Sequence, residues 1–244
     1  MLQLHSLSSP NRLIEVSAEF NSGECWHLLG PNGSGKSSVL TAIAGLLQIE
    51  GRLLWHDMNI DKPPQIEHAQ FRCLLPQKHQ LYFEVTVKEC FFMLHQSFHI
   101  PELLLDTLQL EQLQDKPVFS LSGGEQQRVY IALHLTQVWP AIEKGNALVL
   151  LDEPTQQLDP FFQIKTLELI ANVSQLGNVV IQSHHDVNQT LEFASHAMLI
   201  KKHQVLNQGK VNDVIKSVSM QALYNQDFIE LNDKSTSKRY LVVK

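Results

Sequence analysis

Cys25-Trp26-His27-Leu28-Leu29-Gly30-Pro31-Asn32-Gly33-Ser34-Gly35-Lys36-Ser37 reads as an apolar strand that breaks into a glycine-bearing turn and opens a helix. Residues 30–37 fit G-x-x-x-x-G-K-[ST], and both flanks are those the motif requires. Glycines let the backbone curl until several N–H groups point at one phosphate chain. A helix starting near Lys36 adds the positive end of its dipole. Lys36 can reach the β- and γ-phosphates and Ser37 can ligate Mg²⁺, while Gly30, Pro31, Asn32, Gly33, Ser34, Gly35 and Ser38 complete the cradle. A nucleoside triphosphate site is expected here.

Two further apolar runs have the same character. Ala147-Leu148-Val149-Leu150-Leu151 ends at Asp152, and Asn178-Val179-Val180-Ile181 ends near Ser183. Such runs suit central strands of a parallel sheet covered on both faces. Helix-length segments at 37–47, 123–138 and 160–175 lie between the three runs. Strand, polar turn and helix in repetition predict an open α/β sheet, whose ligands bind beyond the carboxyl ends of the strands. Asp152 would then serve the Mg²⁺ side of the phosphates, and Glu153 would orient and polarise an attacking water.

Composition agrees with a globular chain of 244 residues, with 43% hydrophobic and 18% charged residues. No unbroken apolar run exceeds 5 residues, far short of a membrane span. Met1-Leu2-Gln3 carries no secretory leader pattern. Cys25, Cys73 and Cys90 are scattered and odd in number, which reads as reduced, structural thiols. A net charge of −6 argues against a nucleic-acid surface. The one basic knot, Lys234 with Lys238 and Arg239, reads as a solvated turn, and His95 with His99 as a solvated helical face rather than a metal pair.

Leu121-Ser122-Gly123-Gly124-Glu125-Gln126-Gln127-Arg128 is, taken alone, a turn and a helix N-terminus, with free N–H groups suited to an anion. A phosphate loop, then Leu-Ser-Gly-Gly, then apolar-Asp-Glu-Pro, in that order, resembles the ATP-binding cassette (ABC) ATPase family. The resemblance covers nearly the whole chain. It implies a P-loop cassette of mostly parallel core sheet with antiparallel N-terminal strands and a helical subdomain inserted at about 78–144. It also implies ATP and Mg²⁺ as ligands, and a head-to-tail dimer in which each signature loop closes on the other copy's ATP. On that pattern Ser122, Gly123, Gly124 and Glu125 form the signature, and Asp159 of Gln156-Gln157-Leu158-Asp159 lies across the seam. Gln77 matches the glutamine that senses Mg²⁺ and water, and His185, before Asp186, matches the histidine that contacts the γ-phosphate; His184 is its rival.

There are departures. No aromatic residue stands in 7–12 to stack a base, though Arg12 could lie over one by cation–π contact. Glu125 replaces the commoner glutamine, and the gap from Ser122 to Asp152 is long, its extra length falling in 136–146. The gap, the missing aromatic and the short ending, about 205–244, look like the ATP-binding subunits of bacterial vitamin B12 importers, with an iron-siderophore or haem importer as the alternative and a soluble non-transport ABC ATPase as the reading from a different class. That likeness implies two permease subunits, a periplasmic binding protein acting indirectly, no nucleic acid, and a peripheral place on the cytoplasmic face of the inner membrane. The resemblance puts a permease-docking groove around Gln77, where Leu81, Tyr82 and Phe83, three apolar residues in a polar loop, either anchor a permease helix or pack against the chain's own core.

Overall fold

The three apolar runs form the centre of one sheet in a computed structural model that describes residues 1–61, 66–78, 84–233 and 238–244. The chain opens with β1 (Leu2–Ser9), β2 (Leu13–Phe20), β3 (Cys25–Leu29), α1 (Lys36–Ile43), β4 (Glu50–Trp55), β5 (Met58–Asn59) and β6 (Arg72–Leu75). A helical excursion follows: α2 (Val87–His95), α3 (Glu102–Thr107), α4 (Gly123–Gln137) and α5 (Trp139–Ile142). The chain then returns as β7 (Leu148–Asp152), α6 (Pro160–Gln175), β8 (Val179–Ser183), α7 (Val187–Phe193) and β9 (His196–Lys201). It ends with β10 (Gln204–Lys210), α8 (Val211–Val214), α9 (Ser217–Tyr224) and the hairpin β11 (Phe228–Asn232) to β12 (Arg239–Val243).

The main sheet runs β10-β9-β3-β8-β7-β6, and β9 through β6 are mutually parallel. β10 adds an antiparallel edge, so 204–210 belong to the sheet rather than to a trailing segment. An antiparallel sheet, β2-β1-β4-β5, covers one side. The architecture is the expected α/β cassette.

Every residue of β3, β7 and β8 is buried, which is why they are written as apolar runs. Their side chains still alternate. Trp26, Leu28, Leu148, Leu150 and Ile181 pack with Leu40 and Ile43 of α1 and with Leu4 and Phe20 of the antiparallel sheet. Val149, Leu151 and Val180 pack oppositely, with Val129 and Ile131 of α4 and Leu169 and Val173 of α6. Each such side chain contributes roughly 1.5–3 kcal/mol by leaving water.

Boundaries differ from the sequence reading where local chemistry decides. α1 stops at Ile43, because Gly45 at φ 75° turns the chain. β7 and β8 each run on to a polar residue, and the ladder pairs Asp152 with Ser183. His95 and His99 do not share a helical face: α2 ends at His95, and Gln96 leaves it at φ 54°. The basic knot is not simply solvated either, since Lys238 pairs with Glu192 and Arg239 with Glu230; Lys234 lies outside the described residues. The extra length at 136–146 is the short α5, pinned by Asn178, whose Nδ2 donates to the Ile142 carbonyl at 3.0 Å and whose Oδ1 accepts from Ala147 N at 2.8 Å. All three cysteines are free and buried, and burial lifts the Cys25 and Cys73 thiols to about 12.

His27 on β3 is wholly buried. Its Nε2 accepts from the Gln182 amide, and its Nδ1 lies 3.0 Å from Thr190 Oγ1, whose own proton goes to the Asp186 carbonyl. Such an arrangement requires a neutral ring. Burial, followed by the neighbouring His184, holds the His27 pKa well below 6.5. The unfolded chain therefore takes up a proton that the folded one refuses, so stability is full above the unfolded value of 6.5 and is lost as pH falls beneath it. Urea unfolding should show a loss approaching ~1.4 kcal/mol per pH unit from this group. His27→Gln should flatten that slope; an unchanged slope would mean the ring titrates in the native state.

Candidate functional site

The turns that leave β3, β6, β7, β8 and β9, together with the β1–β2 turn, enclose one cleft of about 550 Å³. Asn32 to Ser38 form its floor, Gln77, Glu153, Gln156 and His185 one wall, and Arg12 and His203 the other. Gly30 and Pro31 lie beneath, where their carbonyls accept from Lys36 Nζ at 2.8 and 3.3 Å.

α1 begins without a side-chain cap and without an acidic residue in its first turn. Its first N–H groups are therefore directed at the cleft unsatisfied, and the buried Ser34 Oγ has no partner either. That set of orphaned donors, with Lys36 only 5% exposed, fits a polyphosphate. Burial lowers the Lys36 pKa, while Glu153 and then Asp152 hold it up.

Glu153 is the meeting point of the opposite wall. Gln77 Nε2 donates to its Oε2 at 2.8 Å, and His185 Nε2 bonds to its Oε1. His184 turns inward instead, buried and bonded to Gln189 Oε1 at 2.9 Å. Asp152 is 5% exposed and accepts from the Ser183 hydroxyl. A magnesium ion prefers one or two carboxylates supplemented by phosphate oxygens and water. Ser37 and Gln77 line the cleft and the Asp152 carboxylate ends β7, ligand types that fit this preference, and among the described residues no group of three or more His, Cys, Asp or Glu could hold a metal ion by itself.

The signature residues and Asp159 do not reach the cleft of their own chain. Ser122 and Glu125 form a capping box on α4: the Ser122 hydroxyl accepts from Glu125 N at 3.3 Å, and the Glu125 carboxylate accepts from Ser122 N at 2.8 Å. Gly123 and Gly124 sit against Gln157, where an added Cβ would come within 2.6 Å of Gln157 Oε1 and 3.0 Å of its carbonyl oxygen respectively. Asp159 caps α6 by accepting from Phe162 N at 3.0 Å. Leu81, Tyr82 and Phe83 lie outside the described residues.

Gln156 and His203 line the cleft, and Ser183 bonds to both Asp152 and Glu153, although the sequence reading gave none of the three a role of its own there. His203 stands in the β9–β10 turn at φ 68°, donates its N–H to the Ser34 carbonyl at 2.8 Å and places Nδ1 3.0 Å from the Arg12 carbonyl. Nothing local in Lys201-Lys202-His203 signals this, because the contact joins residues far apart in sequence.

Residues 13–156 match the family described as ABC transporter. The chain is 33% identical over 236 residues to the vitamin B12 import ATP-binding protein BtuD of Citrobacter koseri, covering 95% of this chain and 94% of that one. Among solved structures, an ATP-binding subunit of an ABC transporter superposes with TM-score 0.77 at 23% identity, covering 92% of this chain and 98% of that one. The dimeric bacterial ABC transporter cassette MJ0796 gives TM-score 0.70 at 24% identity, covering 86% and 99%.

Proposed function

The chain belongs to the ABC transporter family as the ATP-hydrolysing subunit of an importer, and we propose that its cargo is vitamin B12. Cargo is inferred from the likeness to BtuD over 95% of the chain. The observation that carries the ATPase chemistry is the meeting of Gln77 and His185 on Glu153, across one cleft from an uncapped, lysine-bearing helix N-terminus.

The roles follow from that geometry. Lys36 and the N–H groups of Gly33 and of 35–38 take the β- and γ-phosphates. Ser37, Asp152 and Gln77 hold Mg²⁺, which when bound neutralises charge on the phosphate oxygens. Glu153 orients the attacking water and receives its proton, while His185 and Gln77 fix the carboxylate and the γ-phosphate. Arg12 and His203, which stand against Gly35, mark the nucleoside end of the cleft. Catalysis is positioning plus charge stabilisation.

Ser122, Gly123, Gly124, Glu125 and Asp159 act on the nucleotide of a second copy, in an ATP-dependent head-to-tail dimer. Their distance from the chain's own cleft supports that reading, as does the dimeric state of a related cassette. No helix among the described residues is long and apolar enough to cross a membrane. On the likeness to importer ATPases, attachment to the cytoplasmic face of the inner membrane comes from two permease subunits, with a periplasmic binding protein delivering cargo.

Reconstitution with the co-purifying permease in lipid vesicles tests the cargo. Vitamin B12, presented on its binding protein, should stimulate ATP hydrolysis and accumulate inside. Stimulation by a ferric siderophore and not by vitamin B12 would replace the cargo and leave the importer ATPase intact.

A further inference from the structure

Glu153 has a backbone that a non-glycine residue rarely adopts, with φ at 52°. It follows the last residue of β7, where the chain must leave the ladder abruptly to face the cleft. Strained backbone at a reacting group persists only where its surroundings over-determine it. Here the Glu153 N–H donates to Ser183 Oγ at 2.8 Å, and the same hydroxyl donates its proton to Asp152 Oδ1. Ser183 is 0% exposed and stands opposite Asp152 in the β7–β8 ladder. A hydroxyl is the smallest side-chain group that donates once and accepts at the same point. One oxygen thus ties the backbone of one carboxylate residue to the side chain of the other.

We propose that Ser183 is a positioning residue for ATP hydrolysis, locking Asp152 and the left-handed Glu153 into one rigid unit. The proposal rests on the reading of Asp152 and Glu153 as the metal-side and water-side carboxylates. An alanine at 183 strands the Glu153 N–H and frees the Asp152 carboxylate to rotate. Neither change touches the phosphate loop, so binding of ATP is kept while the water-side carboxylate drifts. Displacements of about 1 Å in such a unit cost on the order of 10²-fold in rate.

The test is a double-mutant cycle on the full chain with Ser183→Ala, Glu153→Gln and their combination, plus Ser183→Thr, with turnover expressed per ATP-binding site titrated. Ser183→Ala should lower kcat by ~10- to 100-fold with KM for ATP within ~3-fold, and should raise the Mg²⁺ concentration needed for half-maximal rate. Ser183→Thr, which keeps the hydroxyl, should restore most of the rate. On the Glu153→Gln background, at saturating Mg²⁺, the same alanine should change the residual rate by less than ~2-fold, because the water-side carboxylate is already gone, while the raised Mg²⁺ requirement set through Asp152 should persist. Equal losses on both backgrounds, or a Ser183→Ala enzyme with native kcat and Mg²⁺ dependence, would overturn the role of Ser183 alone. Near-native turnover of Glu153→Gln by itself would overturn the underlying reading of Glu153.

Discussion

Glu153→Gln is expected to reduce ATP hydrolysis by at least ~10²-fold while leaving ATP bound, since loss of a positioned base removes that much. The substitution keeps the size of the side chain. Its remaining carbonyl oxygen can still accept from Gln77, whose Nε2 lies 2.8 Å from the present Oε2. What disappears is the ability to take a proton from water. The phosphate loop is unaltered, so binding measured by equilibrium titration should stay within ~3-fold of the native chain, with phosphate release followed separately. Trapped ATP should also drive the variant from monomer to dimer in light scattering. Ser122→Arg should abolish that shift, but it also breaks the capping box, worth roughly 1 kcal/mol of helix stability. Ser122→Ala loses the cap without adding bulk, so it separates the two effects: dimerisation should survive alanine better than arginine. Native turnover in Glu153→Gln would remove this residue from catalysis.

How much of this was legible in the sequence depended on how far apart the interacting residues stand. β3, β7 and β8 are buried on both faces, so each is an unbroken apolar run that any reading finds. The phosphate loop is contiguous and equally plain. The signature segment was harder, and the structure explains why: within one chain, Ser122, Glu125 and Asp159 are fully accounted for as helix caps. Local physics gives no hint of a second role, which rests on a facing copy and was reached only through resemblance. Glu125 in place of glutamine also becomes intelligible, because either side chain completes a capping box at that position. Ser183 and His203 escaped for opposite reasons. Ser183 was visible as a strand end, but its meaning depends on a one-residue boundary and on its cross-strand partner Asp152. His203 meets the phosphate loop only because β9 lies beside β3 in the sheet, a topological fact that no local pattern encodes. His95 and His99 failed as a pair on one left-handed residue, Gln96.

Two glycines of the phosphate loop should fail by different mechanisms and to different degrees. A Cβ at Gly30 would come within 2.2 Å of the Ile200 carbonyl oxygen and 2.6 Å of Ser34 Oγ. Ile200 belongs to β9, which is locked to β3 by the parallel ladder, so the strand cannot yield and the loop must. Shifting the loop misdirects several N–H groups at once. Charge-assisted hydrogen bonds contribute about 1.5–3 kcal/mol each, so losing two of them lowers ATP affinity by at least ~100-fold. At Gly33 the space is open, with nothing within 4 Å of an added Cβ, but φ is +75°. There the cost is conformational, roughly 1–2 kcal/mol for alanine, which corresponds to about 5- to 30-fold, and less for asparagine, which tolerates the left-handed region. Equilibrium ATP titrations should therefore rank Gly30→Ala as far weaker than Gly33→Ala, and Gly33→Ala as weaker than Gly33→Asn. Asparagine at Gly30 should give no relief, because its larger side chain meets the same carbonyl. Equal losses at the two positions would mean that the loop responds to substitution as a whole, and that the contact with Ile200 does not set its shape.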